Sequence, residues 1–206
     1  MRAFVVVTFL LLFPALCPAP QALGAPSLLE KLFSSDPTEK RTPPPRSPQA
    51  NTTDNRIPTP EAYFSPRGGC TEAVVRELAA ARQTVLVQAY SFTSAPIAAA
   101  LVEASRRGVR VEAVLDKSNK TGKYSEADFL VNARIPTYID DKHAIAHNKV
   151  MIIDDQTLIT GSFNFTKAAE ESNAENLLIL RSPKLAAQYT DSFLQHRDHS
   201  TPYTRR

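Results

Sequence analysis

The chain has 206 residues, a formal net charge of +3, 16 prolines and two cysteines. That length holds one ordinary domain with extensions and excludes a large multidomain assembly. Two cysteines exclude a disulfide framework or a zinc site of cysteines alone, and a sequence pI of about 8.9 is compatible with nucleic acid without selecting it over a solvated surface.

Arg2 precedes an apolar run from Phe4 to Phe13 that ends at Pro14, and Pro18 and Pro20 follow. Ala22 and Gly24 place small residues before a cut after Gly24. This pattern predicts a signal peptide over 1–24 and a periplasmic or secreted mature chain. The run is shorter than the about 20 apolar residues of a membrane span. Its single basic residue leaves an uncleaved anchor as the alternative. Bulky Leu16 before Cys17 argues against lipoprotein cleavage. Cleavage leaves Cys70, read as a small packing residue near a helix start. Residues 25–60 carry eight prolines around Pro43-Pro44-Pro45. Such a segment cannot bury a core and predicts a disordered tether.

The folded domain is expected over 61–200, with a tail at 201–206. Ala62 to Ser65 reads as a strand and Pro66 to Gly69 as a turn. Thr71 is placed as the cap of a helix to about Arg82, with Glu72 in its first turn. Thr84 to Tyr90 is apolar and β-rich. Ser94 and Pro96 open a helix that ends at Arg107 before Gly108. Val109 to Leu115 is the next strand, Lys117 to Lys123 a polar loop, Ser125 to about Asn132 a short helix, and Thr137 to Ile139 a brief strand. Asn176 to Leu180 is a further strand, and Ser182-Pro183 opens a last helix to about Arg197. Strands alternating with helices predict an α/β fold, a mixed sheet flanked by helices on both faces.

Between those last two strands the chain reads H-N-K-V-M-I-I-D-D-Q-T-L-I-T-G-S-F-N over 147–164. His147 and Lys149 are two apart, which on a strand aims both side chains to one face. Val150 to Ile153 suits a buried strand, Asp154-Asp155-Gln156 a turn, and Thr157 to Thr160 the returning strand. Gly161 is expected to let the backbone approach a ligand, with Ser162 and Asn164 projecting to one side. Such a hairpin gathers His147, Lys149, Ser162 and Asn164 around one anion. A neutral imidazole can attack phosphorus, an ammonium can neutralise a non-bridging oxygen, and a hydroxyl and an amide can donate to the same group. A nucleophilic imidazole needs its other nitrogen held. Glu175 is the candidate for this, with Glu170 and Glu171 nearby. Asp154 belongs to the same set of spaced residues, but its turn position suggests a structural part. No metal or other cofactor is expected. His143 and His147 are four apart on what reads as extended chain, Asp140 and Asp141 read as loop, and no group of carboxylates converges on His147.

The order His147-x-Lys149-(x)4-Asp154-(x)6-Gly161-Ser162-x-Asn164 resembles the signature of the phospholipase D superfamily at every defining position. G-S-F-N-F-T-K-A-A-E and V-Q-A-Y-S-F-T-S resemble its small bacterial endonuclease branch, and the likeness runs from about Ala62 to Phe193. The resemblance implies metal-free catalysis with an acidic residue at Glu175 pairing with the histidine. It also implies a homodimer. Members with two signatures supply two histidines from one chain, whereas this chain has one signature, so His147 of both subunits is expected to meet across a two-fold axis.

Nucleic acid, DNA or RNA, is the expected substrate. Tyr90, Phe92, Tyr124, Phe163 and Phe165 fall at strand ends or loops beside Lys117, Lys120, Lys123 and Lys142. Exposed aromatics among lysines form a stacking platform for single strands. Tyr90, Phe92 and Lys117 are the substrate-binding candidates, and Phe163 fits the core better. Two rivals remain. A phospholipase or cardiolipin-type hydrolase keeps the chemistry and calls for an interfacial apolar helix or an anchor. A non-catalytic nucleic-acid-binding module has no need of a nucleophilic histidine.

Overall fold

A computed structural model describes residues 59–205. The expected signal peptide over 1–24 and nearly all of the expected tether over 25–60 lie outside the described residues. The elements in order are β1 (Glu61–Ser65), α1 (Cys70–Ala80), β2 (Thr84–Ala89), α2 (Ala95–Arg106), β3 (Arg110–Asp116), α3 (Ala127–Asn132), β4 (Thr137–Asp140), β5 (Lys149–Ile153), β6 (Thr157–Gly161), α4 (Lys167–Glu171), β7 (Glu175–Arg181), α5 (Pro183–His199) and β8 (Thr201–Pro202). They build one eight-stranded sheet in the order β1-β7-β6-β5-β2-β3-β4-β8. β2, β3 and β4 run parallel, and every other neighbouring pair is antiparallel. The expected mixed sheet with helices on both faces is therefore present.

The two faces follow from the period-2 alternation of the strands. Val85, Val87 and Ala89 of β2, with Met151 and Ile153 of β5, join one core with Val74 and Leu78 of α1, Leu101 of α2 and Leu130 of α3. Leu86, Val150, Ile152 and Leu158 face the other way and pack with Ala186 and Phe193 of α5. Fully burying a side chain such as Phe193 stabilises by about 1.5–3 kcal/mol. Both faces of the central strands are covered, so β5 is buried at every position.

Several expectations need correction. Thr71 lies inside α1 and does not cap it. Gly69, with φ of 79°, precedes the helix without a side-chain cap. The Glu170 carboxylate of α4 accepts from Gly69 N at 3.2 Å and Thr71 N at 2.7 Å instead. An anion from a remote helix thus satisfies the orphan amides of this terminus. Ser94 precedes α2 but makes no capping bond with its side chain, whereas Ser182 accepts from Leu185 N as expected. The loop after β3 contains a 3-10 turn at Lys117–Lys120. α4 and β8 were not foreseen: α4 is five residues long, and β8 exists through pairing with β4. Asp140, read as loop, is the fully buried last residue of β4. Cys70 is buried and free, as expected.

Candidate active site

β5 and β6 form the expected hairpin, with Met151 opposite Ile159 and Ile153 opposite Thr157. Asp154 and Asp155 turn the chain with φ of 54° each, in the left-handed region. The Asp154 carboxylate accepts from the backbone N–H of Arg82, Gln83 and Thr84 at 2.9, 2.7 and 2.9 Å. Burial raises its pKa, but these three donors outweigh that and hold it below the usual carboxylate range. Asp154 therefore pins the hairpin turn to the start of β2, and it does not line the pocket described next.

At the opposite end of the hairpin, His147, Lys149, Gly161, Ser162, Asn164 and Glu175 line one open pocket of about 460 Å³. His147 is exposed in the extended approach to β5, and Lys149 begins that strand. Lys149 is only 6 % exposed. Its Nζ donates to the His147 carbonyl at 2.8 Å and sits 5.1 Å from the centre of the Tyr90 ring. Burial pushes its pKa below the ordinary lysine value, opposed by the Glu175 carboxylate. A largely desolvated ammonium of this kind gains from an incoming phosphate oxygen. The His147 ring lies against Tyr90, centroids 4.7 Å apart. Tyr90 thus touches both the imidazole and the ammonium, in keeping with its place among the candidates.

Ser162 and Asn164 follow β6. Ser162 Oγ accepts from Asn176 N at 3.0 Å, which leaves its own O–H free to donate. Asn164 stands between Phe163 and Phe165, both fully buried, so its backbone is clamped on either side. Its Oδ1 is buried without a hydrogen-bond partner. Leaving such an atom unpaired costs about 1–3 kcal/mol, so this oxygen is not spent on holding the fold. Gly161 lines the pocket and also serves a close approach within the sheet. At φ of 149° its absent Cβ would lie 2.3 Å from the Asn176 carbonyl oxygen, so only glycine admits β7 at this distance.

Glu175 lines the pocket, but its Oε1 accepts from Asn173 Nδ2 at 3.0 Å, and no hydrogen bond joins it to His147. Glu170, the nearby competitor, caps α1. Phe92 does not belong to a stacking platform. It is fully buried, bridged by backbone to Phe165 and edge-on to that ring at 6.3 Å. Phe163 and Phe165 are core as well, which leaves Tyr124 as the strongly exposed aromatic of that group. Lys117 is exposed, and its Nζ donates to the His143 carbonyl at 3.1 Å.

Two positioning residues escaped the sequence reading. Asn176 holds Ser162 through its backbone and side chain. Buried Asp116 accepts from Ala146 N at 2.8 Å and Ser118 N at 2.9 Å, fixing the residue just before His147. Burial raises the Asp116 pKa, and these donors more than reverse it. Neither residue belongs to a contiguous pattern, so only the register of the sheet reveals them. His143, His196 and His199 gather elsewhere, around Asp140.

Residues 74–197 match the family described as the PLD-like domain of cardiolipin synthase. The chain is 39 % identical over 156 residues to a protein named phospholipase D from Rickettsia bellii, covering 76 % of this chain and 78 % of that one. It is 33 % identical over 116 residues to a mitochondrial cardiolipin hydrolase of Chlamydomonas reinhardtii, 56 % of this chain and 52 % of the relative. The fold superposes on Nuc, a phospholipase D family member from Salmonella typhimurium, with a TM-score of 0.68 and 37 % identity, covering 71 % of this chain and 99 % of Nuc. The chain belongs to the phospholipase D superfamily of phosphodiester hydrolases.

Proposed function

We propose that this chain is a metal-independent endonuclease that cleaves DNA, and RNA as a secondary substrate, with weak sequence preference. The observation that carries the reading is the convergence of His147, Lys149, Ser162 and Asn164 on one open pocket. In the first step a His147 ring nitrogen attacks phosphorus, a P–N bond forms and the P–O bond to the leaving strand breaks. The leaving oxygen takes a proton from a second imidazole. Water then attacks the phospho-histidine, gives up its proton to that imidazole, and the P–N bond breaks. Lys149, Ser162 and Asn164 hold the non-bridging oxygens throughout.

One histidine cannot stand at both ends of an in-line displacement, so the second imidazole is His147 of the partner subunit in a two-fold dimer. Glu175 is the carboxylate lining the pocket among the described residues. Two-metal hydrolysis calls for several. The pocket is open and polar, which suits an extended polyanion. The signal-like first 24 residues add export to the proposal. N-terminal sequencing of protein from the periplasmic or extracellular fraction should begin near Ala25. Intact Met1 on cytoplasmic protein refutes export.

A cardiolipin or phospholipid hydrolase is the second reading, favoured by the names of the Rickettsia and Chlamydomonas relatives. Supercoiled plasmid, RNA and cardiolipin vesicles, each incubated with and without EDTA, separate the two. Nicked plasmid in EDTA with intact lipid is the expected result. Cardiolipin turnover with untouched plasmid overturns the nuclease reading. Plasmid cleavage that needs added Mg²⁺ overturns metal independence.

A further inference from the structure

We propose that Asp140, His143, His196 and His199 form a structural binding site for one Zn²⁺ ion, separate from the catalytic pocket. The four come from three segments: the end of β4, the loop after it, and the last turn of α5. Their ligand atoms all lie within 4.8 Å of one another. Asp140 Oδ2 is 2.8 Å from His143 Nδ1, 3.0 Å from His196 Nδ1 and 3.3 Å from His199 Nε2. Zn–N and Zn–O bonds of about 2.0–2.1 Å in a tetrahedron place ligand atoms roughly 3.3 Å apart. The three Asp140 distances lie near tetrahedral spacing, and ligand atoms as far as 4.8 Å apart would draw in around the ion.

The donor set agrees with the geometry. Three imidazoles and a carboxylate suit zinc, and four protein ligands make the closed shell of a structural site. The groups around the ligands are already arranged. Asp140 is fully buried, and its other oxygen accepts from Lys142 N at 3.1 Å, which fixes the carboxylate plane. The His143 and His196 rings stack at 4.8 Å and 20°, with His199 5.1 Å from His143. Three imidazoles drawn together on one buried carboxylate form a metal-binding constellation rather than a solvated surface. The bound ion would clasp the C-terminal turn of α5 and the loop leading to His147 onto the end of β4. It takes no part in phosphoryl transfer.

The test uses the purified full chain, free of any histidine tag and stripped by chelator, then titrated with Zn²⁺. One zinc per chain by elemental analysis and a raised melting temperature are expected. Co²⁺ in its place should give the intense visible bands of a four-coordinate ion. His196→Gln and His199→Gln should each weaken binding by roughly 100-fold or more, since losing even an outer hydrogen-bonding partner costs 10–100-fold. Circular dichroism checks that both stay folded. If either does not, the wild-type titration still decides. His147→Asn must keep its zinc, because that residue lies outside the cluster. No melting shift with Zn²⁺, equal binding by the double His196/His199 variant, or loss of zinc in His147→Asn overturns the proposal. Each outcome is read without DNA, so it is independent of the nuclease assay.

Discussion

The eight-residue loop between β4 and β5 starts at one histidine centre and ends at another. At its far end His147 is exposed, with an ammonium, a hydroxyl and an amide with an unspent oxygen about it. At its near end His143 faces a buried carboxylate and two further imidazoles. The ring is the same in both places, and the neighbours decide the chemistry. On the proposed function the donors and positive charge around His147 receive phosphate oxygens, and on the proposed zinc site the ligand atoms around Asp140 receive a cation. Asp116, Lys117 and Tyr90 tie the loop down between the two, through Ala146 N, the His143 carbonyl and the Asn148 carbonyl.

The largest expected effect breaks one centre and leaves the other. His147→Ala removes the nucleophile, so DNA cleavage should fall to background while the melting curve stays that of the wild type. Substantial cleavage by a folded His147→Ala protein would move the nucleophile to another histidine and sink the assignment. Next in size, Lys149→Ala and Asn164→Ala should each lower kcat by roughly 10²–10³-fold, the cost of losing an oxyanion donor. Glu175→Gln should be milder, because Glu175 bonds Asn173 rather than the imidazole. A mixed dimer of wild type and His147→Ala should be nearly inactive, not half active, if nucleophile and acid sit in opposite subunits. Half activity, or full activity from a monomer in light scattering, rules out the shared site.

The smallest effect lies at the far end of the hairpin. Asp154→Ala orphans three backbone donors and should cost about 1–3 kcal/mol in urea unfolding, with kcat little changed. The sign of its pH dependence follows from the lowered pKa. A carboxylate depressed in the folded state contributes its stability above the unfolded value, roughly 3.9, and loses it as pH falls through the folded value. Asp116 and Glu77, the latter held low by Arg181, act in the same direction. Wild type should therefore lose stability below about pH 4, and Asp154→Ala should lose less. An equal acid slope in both proteins contradicts the structural assignment.

Sequence pattern disclosed the hairpin because its information is local. The unbroken apolar run at Val150 to Ile153 and turn chemistry at Asp154-Asp155 specify one conformation, and the site residues ride on it. Partners brought by packing were not legible. The Glu170 cap of α1 acts across about a hundred residues of chain, and the contacts of Asp140 with His196 and His199 span 56 and 59 positions. Phe92 misled because a strand-end aromatic reads as exposed until Phe165 is known to bridge it. Glu175 was placed correctly at the pocket, but its bond to Asn173 depends on a side-chain geometry that spacing does not encode.

The clamp on Asn164 has a consequence for motion. Phe163 and Phe165 are both anchored in the core, and Phe163 N donates to the Asn176 carbonyl at 3.1 Å. That amide belongs to a fully buried residue and is hydrogen-bonded to β7. Its hydrogen exchange should follow the global unfolding free energy, on the slowest timescale of the chain. The exposed backbone near Ala144 and Ile145 should exchange far sooner. One wall of the pocket is then anchored in the core, and the exposed stretch at Ala144 and Ile145 is the part of the loop before His147 left free to move.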